Sequence, residues 1–197
     1  LSPGGRPARR RKRRGAPFGM LEMRAWHEAG HAVAATLRGF AVAGVTISRR
    51  GRIGGACAYE LPLPPRGRAG AARRVARAGA AVALAGSVAQ DRVALERGYV
   101  ALDPRTGAPF ALFAPGAEDD DRVAMRFAGR LHRPRAARRA FLGRMRTSTE
   151  RLLWRPEAWA AVRALARALL RQRTLSGRAV AATISRARAR SRRRASR

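Results

Sequence analysis

The sequence predicts a mainly helical domain with a small β element. Three observations carry this. Trp26, Val33 and Leu37 recur at helical spacing near the start of the ordered region. Residues 69–97 form a long run rich in small residues with no proline. Only "VAGVTISRRGRIGGACAYELPLPP", residues 42–65, reads as paired strands, Val45–Ser48 and Ala56–Glu60, around a glycine-rich turn.

Taken in order, residues 1–19 are rich in Pro, Gly and Arg and poor in large apolar side chains, so they are expected to be a disordered basic tail. The first helix runs from about Leu21 and stops at Gly39. The strand pair follows and ends at Pro62, Pro64 and Pro65. Residues 69–97 are one or two closely packed helices, and residues 98–116 are turn-rich. A helix then opens on Glu118 and Asp119–Asp121, acids that suit its positive dipole end, with Val123, Phe127 and Leu131 as its apolar stripe. Thr147 and Glu150 have capping-box spacing, and Pro156 opens a helix bearing Trp159, Val162, Ala166 and Leu169. Gly177 breaks it before a short last helix to Ile184, and residues 186–197 are expected to be a second disordered basic tail. The domain proper is therefore expected over residues 20–185.

With 197 residues the chain is long enough for a substantial core. Its one cysteine, Cys57, permits no internal disulfide, which leaves a bacterial cytoplasmic setting unopposed. No apolar run reaches the length that crosses a bilayer, so no transmembrane segment is expected. The formal charge is +31, and all but one of the 43 basic residues are arginine, Lys12 being the exception. That bias is compatible with coding drift as well as with a binding surface. The two arginine-rich ends predict weak, unspecific polyanion binding, and no motif that reads nucleic-acid sequence accompanies them.

The chemistry concentrates in "WHEAGH". His27 and His31 stand four residues apart, so on a helix both imidazoles lie on one face, a turn apart. Two such histidines can share a Zn²⁺ ion, and catalytic zinc takes three protein ligands. Glu28 adjoins the first histidine and is placed to act as the base on a water. For the third ligand, His132 sits in basic "RLHRPRA", Glu60 abuts "LPLPP", and Glu96 is isolated. The acidic run Glu118-Asp119-Asp120-Asp121 remains, although N-terminal capping also accounts for it.

Five segments in order extend the picture: "AWHEAGHAVAA", "VAGVTISRRGRIGGACAYELP", "VALAGSVAQDRV", "GAEDDDRVA" and "ALARALLRQRTLSGRAVAATI". Together they resemble the zinc-peptidase domain of the FtsH family of AAA-linked proteases, over residues 22–185. The resemblance implies an FtsH peptidase-like helical fold and a zinc metalloendopeptidase that acts on unfolded or flexible polypeptides. It implies His27, His31 and Asp120 as zinc ligands and Glu28 as the catalytic base. Where the family has asparagine before and leucine after the aspartate ligand, this chain has Asp119 and Asp121. Family members carry an AAA ATPase and form hexamers. The only lysine lies in "RRRKRRG", outside any GxxxxGK[ST] motif, so these residues supply no ordinary Walker-type ATPase, and the sequence leaves open whether a separate AAA ATPase partner exists. The substrate backbone is expected to pair with the edge of Val45, Thr46, Ile47 and Ser48. The competing expectation is a catalytically idle, zinc-stabilised adaptor that binds protein or nucleic acid through its basic surface. An intramembrane zinc protease is disfavoured by Arg24 and Arg38, which flank too short a segment.

Overall fold

The computed structural model describes residues 19–48, 55–62, 68–98, 100–102, 109–111 and 117–197. Eighteen of the residues assigned to the first basic tail, 1–18, lie outside the described residues. The described elements in order are α1 (Met20–Leu37), β1 (Val42–Thr46), β2 (Ala56–Tyr59), α2 (Ala69–Arg97), β3 (Val100–Leu102), β4 (Pro109–Ala111), α3 (Ala117–Gly129), α4 (Arg135–Leu153), α5 (Pro156–Gln172), β5 (Thr174–Ser176) and α6 (Gly177–Ala195). The molecule is mainly helical with a small antiparallel sheet, as expected. Residues 69–97 form one helix, and the turn-rich segment after it contains a short antiparallel pair, β3 with β4. None of the described helices is long and apolar enough to cross a membrane.

The core forms where α1 crosses α2, and small residues decide how closely they approach. A Cβ placed on Gly30 would lie 2.4 Å from the Ala85 carbonyl oxygen and 2.7 Å from the Ala89 Cβ. The two backbones thus touch at a point where no larger residue fits. Trp26 of α1 stacks on Trp159 of α5 with ring centroids 5.5 Å apart, and Gln90 of α2 donates from Nε2 to the Met23 carbonyl. Leu153, Leu165, Leu169 and Ile184 are fully buried, each contributing roughly 1.5–3 kcal/mol of transfer free energy. A smaller cluster of Ala76, Ala80, Phe127, Ala128 and Phe141 joins α2 to α3 and α4. Within the expected α3 stripe Phe127 is buried and Leu131 partly so, but Val123 is exposed.

Three expectations need correction. The first concerns the sheet, whose order is β2-β1-β5, which makes β1 the middle strand. Thr46 is opposite Ala56 on one side and Thr174 on the other. The Ile47 N–H donates to the Arg173 carbonyl, and Val45 and Ile47 are buried in the core. Val45 and Thr46 are therefore paired on both sides and offer no free edge to a substrate, while Ile47 and Ser48 lie beyond the end of β1. Secondly, Thr147 and Glu150 form no cap: both lie inside α4, where the Thr147 hydroxyl donates to the Gly143 carbonyl. Thirdly, the last helix does not stop at Ile184. It continues to Ala195, so most of residues 186–197 is helical. Arginine is among the better helix formers, and the stripe Val180, Ile184, Ala187 keeps helical spacing into the basic segment.

Candidate metal centre

α1 delivers His27, Glu28 and His31 to its buried side, where they are 4 %, 6 % and 6 % exposed. Three buried polar side chains on one helix need partners, since burial of an unpaired polar group costs free energy. Asp120, in the first turn of α3, supplies one. Its Oδ2 lies 2.9 Å from His27 Nε2 and 3.0 Å from His31 Nε2, and the two Nε2 atoms are 3.0 Å apart. Among the described residues this is the only group of three or more His, Cys, Asp or Glu side chains that could hold a metal ion.

The triangle fits a tetrahedral ion. Zinc–ligand bonds of about 2.0–2.1 Å place two ligand atoms about 3.3 Å apart, so these three donors need open by only a few tenths of an ångström. The far side of His31 supports the same reading. Its Nδ1 lies 2.7 Å from the Val82 carbonyl oxygen, which can only accept. Nδ1 therefore carries the hydrogen, and in the neutral ring Nε2 presents its lone pair to the triangle.

Charge supports it too. Asp120 and Glu28 bring two carboxylates into a mostly buried site. Burial raises the Asp120 carboxyl, but the hydrogen bonds from His27 and His31 outweigh that and hold it down at about 2. Burial lowers His31, yet its hydrogen bond to Asp120, the Asp120 and Glu28 charges and the Val82 carbonyl push it up to about 9. Burial raises Glu28 above the usual carboxylate range, with the two histidines pulling the other way. Without a metal, a proton on His31 does the neutralising that a divalent cation would do.

Two glycines make room for this chemistry. A Cβ on Gly86 of α2 would lie 2.5 Å from His31 Nε2 and 2.6 Å from His27 Cε1. A Cβ on Gly55, just before β2, would lie 2.6 Å from Glu28 Oε1. The start of β2 is thus laid directly against the glutamate. Neither glycine stood out in the sequence as a site residue, although Gly86 lies within the small-residue run whose compactness pointed to close packing.

The other acidic and histidine candidates lie elsewhere. His132 packs on Phe141 with centroids 5.2 Å apart, Glu60 is exposed after β2, and Glu96 pairs with Arg92. Glu118 and Asp119 are exposed and face Arg122, with Asp119 Oδ1 2.9 Å from its Nη1. Burial raises the Asp121 carboxyl above its ordinary range, against the pull of the Arg146 charge. The geometry therefore selects Asp120 from the run. Asp120→Asn is expected to lower zinc affinity by about ten-fold or more, by analogy with losses around other metal sites. Asp119→Asn and Asp121→Asn should leave it within about two-fold. Competition with a chromogenic chelator measures all three, and loss of zinc from Asp119→Asn alone would contradict the assignment.

No protein-family model matches the chain, and no curated protein matches it. The resemblance to FtsH-type peptidases rests on the five segments alone.

Proposed function

We propose that the chain is a zinc metalloendopeptidase of FtsH type, with His27, His31 and Asp120 as the metal ligands and Glu28 as the base. The observation that carries this is a donor triangle with Glu28 beside it but not part of it. A purely structural zinc site is commonly closed by a fourth ligand and has no use for an adjacent buried carboxylate. Two histidines and one carboxylate would also suit Fe(II), so elemental analysis of the loaded protein belongs to the test. Zinc bound there supplies Lewis acidity, polarising a peptide carbonyl and acidifying a water.

The chain's own residues do the rest. Glu28 takes the proton of the attacking water and passes it to the leaving nitrogen. The Val82 carbonyl holds His31 in the tautomer that ligates. Substrate alignment passes from β1 to β2. Among the described residues no strand pairs with the outer edge of β2, and Gly55 brings the beginning of that edge against Glu28. An extended peptide added there would run past the glutamate.

Strand addition needs free backbone N–H and C=O groups, which a stable folded domain exposes only when it opens locally. These 197 residues contain no P-loop to drive such opening. The purified chain is therefore expected to cut a disordered polypeptide without ATP, to stop on addition of a zinc chelator, and to leave a stable domain intact. Zinc binding without hydrolysis of any disordered substrate would favour the adaptor reading. ATP-dependent degradation of the stable domain by the chain alone would contradict the proposal.

A further inference from the structure

We propose that the seam between α5 and α6 is a nucleic-acid backbone site, separate from the metal centre. The two helices pack along one another and leave an open groove of about 370 Å³. Its floor is Ala164, Ala168, Ala187 and Thr183, and its walls are Arg167 and Arg171 from α5 with Arg186 and Arg190 from α6. Each arginine pair is spaced i, i+4, so its members lie on one face about 6 Å apart along the axis.

All four arginines are exposed, and none enters an ion pair among the described residues. α6 has no acidic residue, and α5 has only Glu157, in its first turn. Like charges at i, i+4 repel, so the groove carries a standing electrostatic cost that an anion relieves. The hydroxyl of Thr183 is already given to the Ala179 carbonyl, so the floor offers methyl groups and no hydrogen-bond donor.

The shape of the cluster selects the occupant. Arginines continue beyond the groove at Arg192, Arg193 and Arg194, which suits a linear polyanion better than a small anion. A shallow alanine floor has no socket to hold the side chains of an acidic peptide. No aromatic side chain lines the groove, so bases have nothing to stack on, and the contact is to phosphates of a duplex and indifferent to sequence. Because α6 is helical through these residues, its arginines are held in register and not spread along a loose tail.

The test uses the full chain and a short duplex DNA in a salt series. One variant changes Arg167, Arg171, Arg186 and Arg190 to glutamine. A control removes the same charge from exposed α4-side positions Arg133, Arg135, Arg139 and Arg144. Two double variants, Arg167→Gln with Arg171→Gln and Arg186→Gln with Arg190→Gln, keep the result readable if the quadruple variant folds poorly. At low salt the groove variant should lose about ten-fold or more in affinity. The slope of log K against log salt should shrink by about 3–4, near 0.9 per phosphate contact, and by about half that in each double variant. The control should change the slope by less than about 1. Equal losses in groove and control variants would reduce the effect to bulk charge and overturn the site. Tighter groove-dependent binding of polyglutamate than of DNA would overturn the nucleic-acid assignment in favour of an acidic protein.

Discussion

Gly86→Ala is expected to leave a folded protein that no longer holds zinc tightly. The added methyl would sit 2.5 Å from His31 Nε2 and 2.7 Å from His27 Nδ1, inside contact distance of both rings. His31 has little freedom to retreat, because its Nδ1 is tied to the carbonyl of Val82, which lies on α2 one turn before Gly86. The rings must rotate or α2 must back away from α1, and either movement breaks the donor triangle. Two effects on stability oppose each other. Alanine gains about 1 kcal/mol of helix propensity over glycine, while overpacking costs about 1–3 kcal/mol. The net change is small beside that on the metal, for which a loss of about 100-fold in affinity is expected by analogy with displaced ligand supports. Zinc stoichiometry after dialysis and a thermal melt together check this. Full zinc occupancy with unchanged affinity would mean that the rings do not dock on Gly86.

Glu28→Gln should separate binding from catalysis. Glu28 lies outside the donor triangle, so zinc affinity is expected to stay within a few-fold of wild type. Hydrolysis should fall by about 10²–10⁴-fold, the range for loss of a positioned acid–base group. The melting temperature carries a second signature. Burial raises the Glu28 pKa above its ordinary value of 4.5, so the folded chain holds that proton more tightly than the unfolded chain does. Ionising Glu28 therefore costs stability as pH rises from about 4.5 through its folded value, and the full cost persists above that. In the metal-free protein, glutamine should melt at an equal or higher temperature than glutamate near pH 8. That advantage should vanish below about pH 4.5, where Glu28 is protonated in both states. Retained hydrolysis in Glu28→Gln would remove the base from the mechanism.

The parts of the fold that the sequence exposed are those with local signals. The i, i+4 spacing of His27 and His31, the glycine after α1 and the proline that opens α5 are each readable within a few residues. Asp120 is different. It meets His31 across 89 positions, and periodicity alone left it among four neighbouring acids until the likeness of "GAEDDDRVA" singled it out. Thr174-Leu175-Ser176 is too short to show an alternating pattern, so the sequence reveals neither β5 nor the second neighbour it gives β1. The basic end has the composition of a disordered tail, while a sparse apolar stripe of Val180, Ile184 and Ala187 is enough to fasten a helix.

The middle position of β1 also orders events in time. A ribosome releases α1 and β1 first and β5 near the end of these residues, because Val45 pairs with Leu175. The donor triangle is complete in sequence once Asp120 has emerged, yet one side of β1 stays open until β5 arrives. Such a late, long-range closure is slow to form. During that interval the nascent chain displays an unpaired strand edge beside a nearly assembled centre, an invitation to pair with whatever extended chain is nearby. Closure by β5 withdraws the invitation, and the outer edge of β2, which begins beside Glu28, stays without a partner among the described residues.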